Sequence, residues 1–321
     1  MDWKSYYDEE LREAGIRDKI VHWLRVADKM ALSSSKNDRR TVFSFPHTAI
    51  DYSGPLQARV VSWLVRSGFK RVIALGVMHG SLIPVHRTAT NELAPQDERL
   101  SAFAQISGAF LPTTEQLKTP FGDLAVSTEV GNQPPEIRRD LADLLKDEFS
   151  LDTFFGMLRL AADLDHIEPL HVTPFYIGMT RNPVTGSFEI ARAVARWLLD
   201  QWDDETAIVT TGDVVHYGTV YGSEVADAAL EQLESQFRHQ LEALLGMAFR
   251  DRQMEEAYQI AQCKLKSDQR EILPLLVYLL GEKAVANIEV FALSDYANIL
   301  KTAPPCLVSS ALIAYKHGGA E

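Results

Sequence analysis

Nine histidines occur in this chain, and three of them stand at the same kind of place. His47 follows Pro46 and the apolar run Thr41–Phe45. His79 follows the run Arg71–Leu75 across Gly76-Val77-Met78. His216 follows the run Ala207–Thr211 across Gly212-Asp213-Val214-Val215. Each run has the length and apolar character of a buried strand, and each leads into a turn marked by glycine or proline. In open α/β sheets, ligands bind in the crevice beyond the carboxyl ends of the strands. If the three strands are neighbours, His47, His79, Asp213 and His216 converge there. Imidazole is the commonest metal ligand and the side chain that titrates nearest neutral pH. Two histidines and an anion, with open positions left over, form the general plan of non-heme iron sites. A single histidine at a strand end is more often an ordinary polar turn residue; three at one topological position make a shared site as credible as three separate turns.

Other chemical templates fail. No G-x-G-x-x-G, Walker A, C-x-x-C or G-x-S-x-G sequence is present. The segment Asp165-His166-Ile-Glu-Pro-Leu-His171 resembles a zincin motif only superficially. Its histidines are five apart instead of four, and Pro169 interrupts any helix that would align them.

Strands are expected at Thr41–Phe45, Arg71–Leu75, His171–Ile177, Ala207–Thr211, Ile288–Leu293 and Leu307–Tyr315. Amphipathic helices are expected with Ile16, Ile20, Trp23, Leu24 and Ala27 on one face, over Ser223–Leu245, and over Phe188–Trp202. A further helix is expected over Asp268–Leu280, where Pro274 implies a kink or a helix start. Ser33–Arg40 reads as a loop. Strands set between helices predict an α/β fold, a single domain over residues 1–321 with a mostly buried central sheet flanked by helices. No repeat or composition break divides the chain.

With 46% hydrophobic and 24% charged residues, the 321-residue composition is that of a globular protein. The formal net charge of -12 argues against nucleic acid and anionic membranes as partners. Two cysteines, Cys263 and Cys306, make no disulfide scaffold, and free thiols are the simpler reading. The polar, acidic start is no secretory signal, and no apolar run spans a bilayer. A cytoplasmic protein acting on a small molecule is the expectation; self-association is left open.

Several segments, in order, resemble the MEMO family, a relative of the class III extradiol dioxygenases. Pro46-His-Thr-Ala-Ile-Asp-Tyr-Ser-Gly54 is similar to the family's P-H-A-G-Y-x-Y-S-G. Ala74-Leu-Gly-Val-Met-His-Gly80 is similar to I-L-G-P-x-H-H, Thr119-Pro-Phe-Gly-Asp-Leu124 to T-P-x-x-x-L, and Thr210-Thr-Gly-Asp-Val-Val-His-Tyr-Gly218 to S-S-D-x-x-H-x-G. Cys263 precedes Ile272-Leu-Pro-Leu-Leu276 as the family's cysteine precedes a short proline-containing helix. The likeness runs from about residue 41 to 315, after an N-terminal helix and loop over 1–40. It implies an α/β fold and a metal held by His47, His79 and Cys263, with His216 as acid/base and Asp213 beside it. Fe(II) is the metal implied first, copper or zinc as alternatives. The implied activity is an oxygenase for a small aromatic substrate; a non-catalytic metal-binding or interaction protein and a zinc hydrolase are the alternatives. The chain departs from the family at Gly80, Phe149, Lys264 and Ala49-Ile50, residues around the implied pocket.

Overall fold

The expected strands pair into one sheet, and their order decides where the histidines go. The computed structural model describes residues 2–30, 32, 39–79, 83–127, 133–140 and 144–317. Its strands are β1 (Thr41–Phe45), β2 (Arg71–Val77), β3 (Ala109–Leu111), β4 (Gln116–Thr119), β5 (Gly122–Ala125), β6 (Ile137–Arg139), β7 (His171–Ile177), β8 (Thr206–Thr211), β9 (His216–Gly218), β10 (Val285–Asp295) and β11 (Cys306–Lys316). The main sheet has the order β10-β11-β1-β8-β2-β7-β3-β6, with β9 also paired to β11; β4 and β5 form a separate hairpin. β1, β8, β2 and β7 run parallel. β11 runs antiparallel to β1, and β3 antiparallel to β7. The architecture is thus α/β with a mixed central sheet.

Side chains on a strand alternate between faces, and both faces here are apolar. Val42, Ile73, Leu75 and Val77 join a core with Trp197, Leu241 and Leu276. Phe43, Phe45, Val72 and Ala74 join another with Ile20, Leu64 and Phe154. The helices Glu189–Gln201, Leu230–Leu245 and Ile272–Leu280 supply the first layer. The second comes from α2 (Ile16–Ala27), α3 (Ile50–Arg66) and the helix Asp152–Leu164. No helix among the described residues is long and apolar enough to cross a membrane.

Three expectations need adjustment. The helix expected from Ser223 begins at Leu230. Before it, the Ala226 N–H donates to the Tyr217 hydroxyl at 2.6 Å, so a tertiary contact takes that donor away from a helical ladder. The segment Asp268–Leu280 divides into a 3₁₀ turn, Asp268–Arg270, and the helix Ile272–Leu280, with Pro274 in its first turn, where a missing N–H costs nothing. An additional helix, α1 (Trp3–Arg12), precedes α2. Its Asp2 cap accepts from the Ser5 N–H at 3.1 Å, and it buries only Tyr7 and Leu11, so its apolar stripe is too thin to read from sequence. Of the expected Ser33–Arg40 loop, residues 33–38 lie outside the described residues, as does Gly80.

Candidate metal centre

Because β1, β8 and β2 are adjacent and parallel, the residues after them meet at one edge of the sheet. His47, Asp213 and His79 are positioned in this way, and His216 opens β9, held against β11. The sheet therefore brings together the four residues singled out by their strand-end positions. A fifth was not singled out. Asp268, on the 3₁₀ turn, sends Oδ2 into their centre, 3.5 Å from His47 Nε2, 3.7 Å from His79 Nε2 and 3.6 Å from His216 Nε2. Two overlapping groups, His47-His79-Asp268 and Asp213-His216-Asp268, have their ligand atoms close enough to hold an ion.

Cys263 does not join them. It is exposed, on the π-helical turn Ile260–Lys264, and its thiol donates to Gln259 Oε1 at 3.7 Å. The expectation that it supplies the third ligand is therefore corrected: Asp268 stands in the anionic place. The cause is local backbone. After the π turn, Lys266 adopts a left-handed conformation (φ 52°), and the Asp268 N–H donates to the Asp213 carbonyl at 3.0 Å. These contacts staple the turn bearing Asp268 to the end of β8. The sequence carries no signal for this beyond an acidic residue ahead of an apolar helix. His166 and His171 are exposed, and His171 begins β7, at the opposite edge from the site.

The outward nitrogens of the three histidines are all engaged. His79 Nδ1 lies 3.2 Å from Glu148 Oε1, and Glu148 Oε2 also accepts from the His79 N–H at 2.6 Å. His216 Nδ1 donates to the Lys266 carbonyl at 2.9 Å. His47 Nδ1 lies 3.3 Å from Thr211 Oγ1, whose own proton goes to the Phe45 carbonyl at 3.0 Å. A carbonyl, a carboxylate and an already committed hydroxyl can only accept, so each Nδ1 carries a proton. A ring with no second proton presents its lone pair at Nε2. Three lone pairs and a carboxylate facing one point need cations between them, either protons or a metal.

The electrostatics agree. Burial disfavours the His79 imidazolium, but the Glu148 and Asp268 carboxylates outweigh it and raise its pKa to about 10. Burial disfavours the Asp268 carboxylate likewise, and His216, His47 and His79 overcome this and hold its pKa well below the usual range. Asp213, buried and accepting from the His47 N–H at 3.2 Å, is pushed up by burial, with His47 and His216 opposing. Metal–ligand bonds of 2.0–2.2 Å in a tetrahedral arrangement separate ligand atoms by about 3.3–3.6 Å. The observed 3.5–3.7 Å is close to that. A divalent metal fits, with the Glu148–His79 pair as the outer carboxylate that typically orients a ligating imidazole.

Beside the cluster lies a cavity of about 420 Å³, whose lining includes five Trp, Tyr and Phe side chains. Phe149 stacks on His79 (centroids 4.6 Å apart), and Tyr7 of α1 stacks on Phe149 (5.0 Å). The added helix thus closes one side of the cavity.

No family model matches the chain, and no curated protein matches it. Among solved structures, the crystal structure of the uncharacterized protein JW3007 from Escherichia coli K12 is similar, with 10% sequence identity over 86% of this chain and 99% of that chain, at a TM-score of 0.48. At that identity and score the likeness adds nothing to the chemistry of the site.

Proposed function

We propose that this protein is a metal-dependent oxygenase, with Fe(II) held by His47, His79 and Asp268, acting on a small aromatic molecule. The observation that carries the metal is the convergence of three Nε2 atoms on Asp268 Oδ2 at 3.5–3.7 Å. Two imidazoles and one carboxylate are the donor set of non-heme iron sites, and the bound ion would supply dioxygen binding and activation at its open positions. The aromatic cavity and the motif resemblance favour a ring substrate.

In this reading, His216 moves a proton. Its Nδ1 is fixed on the Lys266 carbonyl, which leaves Nε2 to take a hydroxyl proton from the substrate and return it later. Asp213 positions His47 through its backbone N–H. Phe149 and Tyr7 exclude water from one wall.

The test is metal content after anaerobic purification, followed by oxygen uptake over a panel of catechols. Wild type should carry close to one iron per chain, and Asp268→Ala should carry almost none. Metal without oxygen uptake on any catechol would overturn the oxygenase. Equal metal in both proteins would overturn the site.

A further inference from the structure

We infer that the substrate of this site is anionic as well as aromatic, and that Lys266 binds its negative group. The inference rests on the metal-site reading for where the ring reacts, but Lys266 makes its own case. The cavity's lining includes Trp3, Tyr7, Phe149, Tyr221 and Tyr296, and Lys266 is the one lysine or arginine that lines it among the described residues. Every other charged group there has a partner. Asp268 faces three imidazoles, and Asp213 faces His47. Lys266 has no ion pair and no side-chain hydrogen bond among the described residues.

Its position is also built. The backbone at Lys266 is left-handed, a conformation costly for a residue with a side chain and kept only where surrounding contacts enforce it. One such contact is the hydrogen bond from His216 Nδ1 to its carbonyl. The lysine is thereby tied to the proton-transfer histidine and stands two residues from Asp268. An ammonium on a flexible four-carbon stem is a point charge that can reach for an anion. An aromatic ligand entering this cavity would strip water from that charge, which is unfavourable unless the ligand brings a counter-charge. A carboxylate on the ring supplies it, at the cavity's cationic side, while the ring lies against the aromatic wall.

Benzoate and benzamide are suitable probes, since they share ring and shape and differ in charge. Both would be titrated calorimetrically into the metal-loaded and the metal-free protein, with metal content measured on the same samples. Wild type should bind benzoate about tenfold or more tighter than benzamide in both forms, as one charge-assisted contact would give. Lys266→Met should collapse that ratio to within about twofold and leave benzamide binding unchanged; Lys266→Arg should keep it. A benzoate preference that survives in Lys266→Met, or appears only with metal, overturns the assignment, as does failure of both probes to bind. Loss of metal binding with the charge preference intact would overturn the oxygenase and leave the anion subsite standing.

Discussion

At the scale of single residues, the proposed function divides the cluster into side chains that would hold a metal and one that would move a proton. His216 Nε2 is as near to Asp268 Oδ2 as His47 and His79 are, so distance alone does not assign its role. Its support does. His79 is braced by a buried carboxylate, the arrangement that strengthens a ligating imidazole, whereas His216 is braced by a neutral carbonyl. On the proposed reading, His216→Ala should therefore keep its metal and lose turnover by about 10² to 10⁴-fold, the usual loss for a general acid/base. Cys263→Ala should match wild type in both. Iron lost from His216→Ala would make that histidine a ligand.

At the scale of elements, the β8 turn is the tightest part of the frame. Gly212 has φ 151°, and a Cβ there would lie 2.5 Å from Gln269 Cγ. Gln269 Nε2 donates to the Gly212 carbonyl at 3.3 Å and also to Ser44 Oγ, so β1, β8 and the turn bearing Asp268 close on one point. Gly212→Ala should displace Gln269, and Asp268 with it. We expect about 1–3 kcal/mol of lost stability by denaturant unfolding and markedly weaker metal binding. Unchanged metal affinity would show that the turn tolerates the methyl.

These contacts also mark what could be read in advance. The strands around the site were legible because they are continuous apolar runs, and the parallel order β1-β8-β2 turned three strand-end histidines into neighbours. Asp268 was not legible. It is set in place by a backbone hydrogen bond to Asp213, 55 positions away in the numbering, and by a π turn that no side-chain period announces. The role of Glu148 was not legible either, because its four hydrogen bonds go to His79 and to backbone N–H groups that the fold assembles.

At the scale of the whole molecule, an ion bound as proposed would compete with protons for one place, and stability should record it. In the metal-free protein the His79 imidazolium is attracted by Glu148 and Asp268, which raises its pKa from 6.5 to about 10. A group whose pKa is raised by folding stabilises fully below its unfolded pKa, and that contribution disappears as pH rises through the folded one. The metal-free protein should thus lose this contribution between about pH 6.5 and 10. Metal binding strengthens over the same interval as protons leave the ligands. The gap in Tm between loaded and metal-free protein should widen from pH 6 to pH 9; at a free metal concentration 100 times Kd it should reach roughly 4 °C. A gap that narrows with pH would mean that the ion does not displace the His79 proton. The donors have one more consequence, in the order of synthesis. His47 and His79 are made early and Asp268 late, and β11, which holds the strand carrying His216, is made later still. Until β11 has paired with β9, His216 is not held beside the two early histidines, and an ion caught by them would have no finished cavity around it. An ion bound as proposed would therefore be a certificate of completed folding, acquired only when the last strand has closed against the first.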